Sequence, residues 1–574
     1  MKQLEKWTVM AKRADFYEIG KRFGIDPVIA RVIRNRDVIT EEEVGLYLGG
    51  EIEDLSDSHL LKDIDKAAEI LAQKIERQKK IRIIGDYDID GIQSSYILWE
   101  GIERLGGVAE TVIPDRVKDG YGVNEHLVEL AVQEGADTIL TCDNGIAAAP
   151  ILEKARQAGL TVIITDHHEI PFEEKQGQRK EILPKVDAIV NPKQQDCLYP
   201  YKALCGAVVA WHLIRVLYER MGRNINETDE FIENAAFATV GDVMELQFEN
   251  RILVKEGLRR LNRTENIGMR ALIQTKNLHM GAIRAYHIGF VLGPCLNASG
   301  RLDTAKKALL LLKTRDEVRA AELAEELSGL NEERKEMTMW GVEKAIADIE
   351  RSGMHGDKIL VSYLPDCHES IAGIIAGRIR ERYNRPVYIL TDSGDGAKGS
   401  GRSIENYSMY EELCKCSSLL EKFGGHPMAA GLSIQKENID SFREQLNQNC
   451  ELSNEDLIPK IKIDVPMPLD YLSESLIRQL ELLEPFGKGN EKPVFADKNI
   501  RILFPRIVGK NKNVVKMRIE TESSQRYEGV YFGEAQEFLQ FLKERQEGIS
   551  IVYYPQLNTY SGQTQIEIVV LHYR

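Results

Sequence analysis

Three short runs rich in Ile, Val and Thr, each closed by an acidic residue, constrain the fold of this chain most strongly. The runs are KIRIIGD, ADTILTCDNG and LTVIITDHH, and helix-like stretches such as EHLVELAVQEG and APILEKARQAG separate them. Buried strands that alternate with helices are typical of βαβ units, and they predict an α/β fold with a parallel, doubly wound sheet. Such sheets bind ligands beyond the carboxyl ends of their strands. We therefore expect a binding crevice where these runs end.

The residues at the three strand ends are carboxylates and imidazoles. They are Asp86, Asp88, Asp90, Asp143, Asp166, His167 and His168. A calcium-binding EF-hand loop that started at Asp86 would need Glu at its twelfth position and a helix before it, but the chain has Ile97 there and a strand before it. Crowded carboxylates repel one another unless a cation joins them, so the pattern favours a divalent cation site. Helix capping is the ordinary alternative for each aspartate, and a surface pair is the alternative for the two histidines.

Composition limits the class of protein. The chain has 574 residues, well above the roughly 250–300 at which single hydrophobic cores stop growing, so we expect several domains. The net charge of −15 disfavours a nucleic-acid coat protein but leaves room for an enzyme with a local basic groove. The eight cysteines are scattered without a Cys-x-x-Cys pair, which predicts reduced thiols. With neither a signal peptide nor a membrane-spanning run in the sequence, we expect a cytoplasmic protein that does not enter membranes.

The pattern of hydrophobic and polar residues changes along the chain. We expect a helical segment over 1–55, an α/β domain over 56–313, a connecting helix over 314–354, a second α/β domain over 355–453 and a small barrel over 454–574. Thr314 is the expected cap of the connecting helix, and Gly329 is a candidate break in it. Short strands and Gly-rich turns make the last segment similar to barrels of the oligonucleotide-binding (OB) kind.

Several motifs resemble those of one known family. GDYDIDG, CDNGI and TDHH resemble the first three motifs of the DHH phosphoesterases, and GDVMEL, with Asp242, is similar to the fourth. The resemblance continues in order through GPCLNASGRLD, CHESIAGIIAGRI, GSGRSI and GGHPMAAG, of which the last three resemble the DHH-associated domain. LLEPFGKGNEKPVF resembles the segment before the C-terminal barrel of a bacterial subfamily of single-strand-specific exonucleases. The resemblance implies a parallel-sheet DHH domain, joined by a long helix to a smaller DHH-associated domain, plus an OB-like barrel.

The same resemblance implies the cofactor and the residue roles. The cofactor would be Mn2+ or Mg2+, with two ions, which suits hard oxygen ligands and imidazole. The implied metal ligands are Asp86, Asp88, Asp90, Asp143, His167 and Asp242. His168 would donate a proton or hydrogen bond, Asp166 would orient an imidazole, and Asp86 would be a ligand or support one. The implied substrate-binding residues are Arg116, Asn297, Arg301, Ser400, Arg402, Gly425 and His426.

Some of these residues have ordinary alternatives. Arg301 can pair with Asp303, and either Arg116 or Arg402 can form a salt bridge between domains. The Gly-Gly-His stretch can be a plain turn. The chain also departs from the family pattern at Cys295, where an arginine is common, so one positive charge near the expected DNA path is missing.

Three function classes follow. The first is a metal-dependent 5′-to-3′ exonuclease on single-stranded DNA that releases 5′-mononucleotides in DNA repair and recombination. The second is a phosphodiesterase that acts on short oligonucleotides or cyclic dinucleotides, which the extra barrel disfavours. The third is a non-enzymatic scaffold, which the complete set of ligands disfavours. For the exonuclease, the resemblance implies a monomer that works with single-stranded DNA, a single-stranded-DNA-binding protein and a RecQ-like helicase.

Overall fold

The structure is a computed structural model that describes residues 5–116, 119–120, 122–175, 178–545, 548–560 and 563–574. The chain forms an N-terminal segment, an α/β domain that ends in a long helix, a smaller α/β domain and a barrel. Among the described residues, no helix combines the length and the apolar character that a bilayer span requires.

The N-terminal segment contains one strand and three helices. They are β1 (Lys6–Val9), α1 (Phe16–Phe23), α2 (Pro27–Asn35) and α3 (Glu41–Gly49). Asp15, Asp26 and Thr40 cap the three helices by accepting backbone N–H groups. The expectation of helices alone over 1–55 is wrong at β1, which pairs in parallel with residues 460–463. A four-residue strand whose partner lies so far along the chain leaves no local signal.

A parallel five-stranded sheet forms the centre of the first α/β domain. Its strands are β2 (Lys80–Ile84), β3 (Val108–Val112), β4 (Thr138–Cys142), β5 (Thr161–Thr165) and β8 (Ala188–Val190), and a small hairpin of β6 (Phe172–Lys175) and β7 (Gln178–Glu181) precedes the last. The order is β3-β2-β4-β5-β8, and every neighbouring pair is parallel. The three predicted strands are therefore confirmed as β2, β4 and β5.

Helices cover both faces of this sheet. They are α4 (Ile64–Glu76), α5 (Ile89–Arg104), α6 (Glu125–Gln133), α7 (Ala149–Gln157) and α8 (Gly206–Arg220). Ile81 and Ile83 of β2 belong to the core with α4, α5 and α8, whereas Ile84 belongs to the core with α6 and α7. Because successive residues of a strand point to opposite faces, this split confirms the doubly wound fold.

A helical region follows the sheet. It contains α9 (Ile232–Gly241), α10 (Phe248–Leu261), α11 (Ile267–Thr275), α12 (Ala285–His287), a π-helical turn (Ile288–Leu292), α13 (Gly293–Leu302) and α14 (Lys306–Lys313).

The connecting helix α15 (Glu317–Arg351) corrects two expectations. It begins at Asp316, whose side chain accepts two backbone N–H groups of the first turn, rather than at Thr314. It also continues through Gly329 without a break. Three residues in the turns before Gly329 are buried in the core of the first domain, and this packing outweighs the roughly 1 kcal/mol that a helical glycine costs.

The second α/β domain has a mixed sheet. Its elements are β9 (Leu360–Tyr363), α16 (Glu369–Tyr383), β10 (Val387–Ser393), β11 (Gly396–Arg402), α17 (Met409–Lys415), β12 (Leu420–His426), β13 (Ala429–Ile434) and α18 (Ile439–Asn449). The strand order is β12-β13-β11-β10-β9. Only β9 and β10 pair in parallel.

A closed barrel completes the chain. The elements of this part are β14 (Lys460–Ile463), α19 (Glu474–Leu480), β15 (Phe495–Val508), β16 (Val514–Glu520), β17 (Arg526–Phe532), α20 (Ala535–Glu544), β18 (Ile549–Tyr560) and β19 (Gln563–Tyr573). The barrel closes in the order β15-β16-β17-β19-β18. The predicted OB-like barrel is therefore confirmed.

The N-terminal segment packs against this barrel. Residues of α2 and α3 share one hydrophobic core with residues of the barrel. The guanidinium of Arg36 bonds both carboxylate oxygens of Asp464, at 2.6 and 3.1 Å, and both side chains are buried. The two ends of the chain therefore form one structural unit beside the first α/β domain.

Candidate metal centre and nucleic-acid cleft

The carboxyl ends of three neighbouring strands bring the predicted acidic residues together. Asp86 lies two residues after β2, Asp143 directly follows β4, and Asp166 directly follows β5. Asp242 joins them from the C-terminal end of α9. The crevice expected at these strand ends is thus present, with a carboxylate from the helical region added.

His167 lies at the centre of this cluster. Its Nε2 is 3.0 Å from Asp143 Oδ1, 3.5 Å from Asp90 Oδ2 and 4.0 Å from Asp242 Oδ2. The possible ligand atoms form three overlapping sets, each within 4.8 Å: Asp86 with Asp88 and Asp143, Asp90 with His167 and Asp242, and Asp143 with His167 and His168. The structure thereby brings together all six predicted ligands.

Two helix N-termini position the carboxylates of the first motif. Asp88 caps α5, because its Oδ1 accepts the N–H groups of Asp90 and Gly91. Asp88 is thus a helix cap, as the alternative interpretation proposed, but capping uses only one of its two carboxylate oxygens. Both oxygens of Asp90 accept N–H groups from the first turn of α8, at 2.6 Å from Gly206 and 2.7 Å from Ala207. The positive ends of the helices favour negative charge at these positions.

Two glycines allow the close approach of these segments. A Cβ on Gly91 would lie 2.5 Å from the backbone of Asp86, and one on Gly206 would lie 2.8 Å from the Cβ of Asp143. Asp143 itself has a φ of 59°, which is uncommon for a residue with a side chain and is often retained at functional sites.

The electrostatics of the cluster fit a cation. Burial, followed by repulsion from neighbouring aspartates, raises the pKa of both Asp86 and Asp242 to about 8. The same causes raise the pKa of Asp88 and Asp143. Burial lowers the pKa of His167 and so favours the neutral imidazole that metals bind. Among the residues that the structure describes, Asp86 Oδ2 and His167 Nδ1 are buried without a hydrogen-bond partner, and this set of donors fits Mn2+ or Mg2+.

Asp166 bonds the backbone of Ile146 and the side chain of His168. Its carboxylate accepts the backbone N–H of Ile146 at 2.9 Å, and its Oδ1 lies 2.8 Å from His168 Nδ1. Burial by itself would lower the pKa of His168, but the hydrogen bond and charge of Asp166 raise it to about 9. The imidazole is therefore held charged and oriented, with 44% of the side chain exposed.

Three predicted arginines gather in the cleft between the two α/β domains. Burial, followed by repulsion from Arg116 and further arginines that include Arg402, lowers the pKa of Arg301 to about 10. Burial, then Arg380 and Arg116, likewise lowers the pKa of Arg402. A cavity of about 360 Å³ in this cleft is lined by Arg116 and Ser400, together with Tyr87, Ser370, Lys398, Lys422 and others.

The alternatives proposed for these arginines do not hold among the described residues. Arg301 donates to the carbonyl oxygen of Ser370 at 2.7 Å, whereas Asp303 pairs with Lys307. Arg116 lies over the ring of Tyr87, 4.8 Å from its centroid. The described part of the chain offers neither Arg116 nor Arg402 a carboxylate within 4.0 Å. Positive charge is thus concentrated at this end of the cleft.

The remaining predicted residues occupy the edges of the cleft. Asn297 lies on α13 one turn before Arg301, and no described residue offers its buried Oδ1 a hydrogen-bond partner. His426 and Arg402 lie in one row of the second sheet, on either side of Ala429. Gly425 has a φ of 147°, and a Cβ there would lie 2.5 Å from the carbonyl oxygen of Ala429, so this turn needs glycine. Neither Gly425 nor His426 lines the 360 Å³ cavity.

The structure adds residues that the sequence reasoning missed. Asn144 donates to the carbonyl oxygens of Ile84 and Cys142 and thereby ties the ends of β2 and β4 together. Lys488, in the segment before the barrel, lies close enough to Asp242 to oppose the rise in its pKa. Asn144 stands inside the CDNGI motif and was visible in the sequence, whereas nothing near Lys488 in the sequence points to Asp242.

Comparison with known proteins bears on this arrangement. Family models match the chain as "DHH family, N-terminal domain" over 80–239, "DHHA1 domain" over 356–452 and "RecJ OB domain" over 463–572. The single-stranded-DNA-specific exonuclease RecJ of Dickeya dadantii is 32% identical over 571 residues, which cover 96% of both chains. This chain belongs to the RecJ family. The RecJ of Bacillus subtilis is 36% identical over 525 residues, which are 91% of this chain and 65% of that one.

RecJ structures share the fold over nearly the whole chain. The crystal structure of RecJ in complex with Mn2+ from Thermus thermophilus has a TM-score of 0.83 and 27% identity, and the match covers 99% of this chain and 79% of that one. The complex of RecJ with Mg2+ from the same organism has a TM-score of 0.77 and 25% identity, covering 99% and 78%. The order of DHH domain, DHH-associated domain and OB barrel that the motifs implied is thereby confirmed.

Proposed function

We propose that this RecJ-family enzyme, a metal-dependent exonuclease of single-stranded DNA, digests its substrate from the 5′ end and releases 5′-mononucleotides. The observation that carries this polarity is the group of Arg116, Arg301 and Arg402 in the cleft beside the carboxylate cluster. Buried like charges repel, and a phosphate would relieve that repulsion. A terminal phosphate held there places the first phosphodiester bond next to the carboxylates.

We assign the cation, Mn2+ or Mg2+, to the carboxylate cluster. Two ions would be held by Asp86, Asp88, Asp90, Asp143, His167 and Asp242, with Asp86 a ligand or a support for one. When bound, divalent cations activate the attacking water and stabilise charge on the leaving oxygen.

The chain itself supplies orientation and proton transfer. The α8 N-terminus holds the carboxylate of Asp90 in one place. The bond from Asp166 keeps His168 charged, and we assign to His168 a hydrogen bond or proton for the phosphate that enters the cleft. Asn297, Gly425 and His426 would contact the first nucleotide from α13 and from the second sheet.

The barrel is proposed to hold the incoming strand. Phe504 and Phe532 are exposed on β15 and β17, and exposed aromatic rings bind unpaired bases by stacking. The domain boundaries proposed are 1–55, 56–313, 314–354, 355–453 and 454–574. A single-stranded-DNA-binding protein and a RecQ-like helicase are proposed as partners of a monomer in the cytoplasm, where the eight cysteines, all free, would stay reduced.

The decisive experiment follows the label on a single strand. A 5′-labelled, 5′-phosphorylated strand with Mn2+ should yield a labelled mononucleotide at once, whereas a ladder of shortening labelled products would show that digestion starts at the 3′ end. Parallel reactions with duplex DNA, RNA, a cyclic dinucleotide and EDTA test the substrate class. Faster turnover of the cyclic dinucleotide than of the strand would favour the phosphodiesterase alternative.

Arg402→Ala tests the phosphate pocket. The variant should lower the preference for a 5′-phosphate over a 5′-hydroxyl by about 10- to 150-fold, because a hydrogen bond to a charged group contributes about 1.5–3 kcal/mol. Arg378→Ala is the matched control, since Arg378 is exposed on the same domain and pairs with Glu381. An unchanged preference in Arg402→Ala would assign the residue to domain packing alone.

A further inference from the structure

A second cavity lies at the ends of α5 and α9 that are remote from the carboxylate cluster, and the function proposed so far does not use it. Its volume is about 450 Å³, which falls within the roughly 300–1,000 Å³ of small-molecule sites. At about 1.5 Å per residue, Arg104 in its wall is about 21 Å along α5 from Asp90, and Glu233 is about 14 Å along α9 from Asp242. Its lining residues also differ from those of the 360 Å³ cavity in the cleft, so it is a separate site.

Arginine is the commonest residue in the lining of this cavity. Five arginines and three glutamates line it: Arg104, Arg259, Arg260, Arg263, Arg315, Glu230, Glu233 and Glu265. Outside the lining, Glu100 pairs with two of these arginines at once, Arg104 at 2.8 Å and Arg315 at 2.5 Å. Glu256 likewise pairs with both arginines at the end of α10. A shared carboxylate neutralises only one of two guanidinium charges, so this arginine rim keeps positive charge.

Two further ion pairs reduce this charge without cancelling it. Glu230 pairs with Arg104 at 2.8 Å, and Asp229 lies 3.4 Å from Arg260 but is shared with a second arginine. Arg263 is exposed, and in the described part of the chain no carboxylate lies within 4.0 Å of its guanidinium. Guanidinium groups bind phosphate through paired, charged hydrogen bonds, so the rim suits a phosphate group.

The inner wall of the cavity carries less charge than the rim. Tyr96 and Phe231 are buried there, with ring centroids 6.4 Å apart and an angle of 80° between the ring planes. Thr264 donates to Glu233 Oε1 at 2.6 Å, and no described residue bonds the second carboxylate oxygen. Burial raises the pKa of Glu233 to about 7, so near neutral pH this carboxyl carries less than a full charge. Apolar rings thus lie beside polar groups, among them the buried amide of Asn234, that can bond the edge of a nucleobase.

The contrast between rim and inner wall selects the class of ligand. An inorganic phosphate would meet only the arginine rim and would leave most of the 450 Å³ unfilled. A sugar phosphate would place hydroxyl groups against the two aromatic rings, which offer them no hydrogen bond. A nucleoside 5′-phosphate carries an anionic group at one end and a planar ring with N–H and carbonyl groups at the other. Its two ends therefore match the two parts of the cavity.

We infer that this cavity is a second ligand site that binds a nucleoside 5′-phosphate, with the phosphate on the arginine rim and the base against the inner wall. The inference does not depend on the direction of digestion proposed above. The occupant would contact α5 and α9, the helices that hold Asp90 and Asp242, without contacting either of these carboxylates.

The experiment is isothermal titration calorimetry of the full chain in EDTA with the 5′-monophosphates of deoxyadenosine, deoxyguanosine, deoxycytidine and thymidine. Each nucleotide is compared with its nucleoside, with ribose 5-phosphate and with inorganic phosphate. At least one nucleotide should bind about 10-fold or more tightly than any of these fragments, because only the nucleotide contacts both the rim and the inner wall.

Variants assign the binding to this cavity. Arg263→Ala should weaken binding of the nucleotide by about 10- to 150-fold, the loss expected for one hydrogen bond to a charged group. Glu265→Gln removes an exposed carboxylate of the lining and should strengthen binding by about 2- to 5-fold. Arg270→Ala is the matched control, since Arg270 lies on α11 outside the lining and pairs with Glu317. Arg402→Ala should keep the binding, because Arg402 belongs to the cleft.

The outcomes separate this inference from the proposed function. Unchanged affinity in Arg263→Ala, or loss of binding in Arg402→Ala, would overturn the site, and inorganic phosphate that binds as tightly as every nucleotide would overturn the ligand. The circular dichroism of Arg263→Ala and its digestion of single strands should match the wild type, and a loss of either would overturn the inference by showing that Arg263 serves the fold. A wild type that binds the nucleotide but digests no strand would refute the proposed function and leave this inference standing.

Discussion

Removal of divalent cations should make the stability of this protein fall as the pH rises. Asp86 is fully buried, and burial followed by the charge of Asp88 raises its pKa from the ordinary 3.8 to about 8. A carboxyl whose pKa is higher in the folded state stabilises that state fully below its unfolded pKa, and this contribution is lost as the pH rises through the folded pKa. For Asp86 the loss runs from about pH 4 to about pH 8.

The size of the effect follows from one proton. Between pH 5.5 and 8.0 the folded state keeps a proton on Asp86 that the unfolded state has lost, and each pH unit then costs about 1.4 kcal/mol. Asp86 alone should lower the free energy of unfolding by about 3 kcal/mol over this interval, and Asp242, whose pKa is likewise raised to about 8, should add to the fall. In a domain of 150–250 residues 1 kcal/mol corresponds to about 2–4 °C, so Asp86 alone should lower the melting temperature by about 6–12 °C.

Cations should reverse this trend. Mn2+ binds the ionised carboxylates and displaces their protons, so its affinity rises with pH. At a free concentration of 100 times its Kd, the ion would add about 2.7 kcal/mol to the free energy of unfolding. The melting temperature with Mn2+ should therefore exceed that with EDTA, and by more at pH 8.0 than at pH 5.5.

The assay is thermal unfolding followed by circular dichroism from pH 5.5 to 8.0, in EDTA and in Mn2+. The difference between the two curves isolates the contribution of the carboxylate cluster. Glu233, whose pKa burial raises to about 7, titrates in both EDTA and Mn2+, so its contribution cancels. Asp86→Asn is the matched variant, since its amide keeps the shape but cannot ionise, and its curve in EDTA should be flatter by about one proton. Parallel curves in EDTA and Mn2+, or an unchanged slope in Asp86→Asn, would refute the electrostatic account of the cluster.

Three further predictions concern separate parts of the chain. His167→Ala should lower turnover of single-stranded DNA by about 100-fold or more while the fold and most DNA affinity remain, because it removes a neutral imidazole from the centre of the carboxylates. Full activity of this variant with Mn2+ would contradict the assignment of His167 as a ligand. Asp464→Ala should lower the free energy of unfolding in urea by about 3–5 kcal/mol, because Arg36 would stay buried without its partner. A loss below about 1 kcal/mol would show that the ion pair does not join the two ends of the chain. Lys488→Ala should reduce the slope of log affinity for single-stranded DNA against log salt concentration by about 0.7, the value for one contact to a single-strand phosphate. An unchanged slope would place Lys488 outside the DNA path.

Local patterns in the sequence were enough to predict the sheet and the residues at its edge. The β-branched runs before Asp86, Asp143 and Asp166 form neighbouring strands, and the carboxyl ends of parallel strands meet at one edge of a sheet. The order of the motifs likewise predicted the succession of domains that the family models match. The ligand and substrate roles of individual residues stay predictions, which the variants above test.

Other features could not be predicted from the sequence, because the competing local signals are close in energy. Thr314 and Asp316 are both good caps within three residues, and only the structure selects Asp316. Gly329 weakens a helix by about 1 kcal/mol, which packing of the neighbouring turns against the first domain outweighs.

The sequence by itself determined the strands, their acidic ends and the motifs that identify the family, since each depends on residues within a few positions of one another. Tertiary structure alone decided that β1 pairs with β14 and that Arg36 meets Asp464 across 428 residues of sequence. Contacts of this kind depend on burial and on which surfaces remain after the cores have formed. No local window of sequence contains that information, because the free energy that selects such contacts comes from the packed chain as a whole.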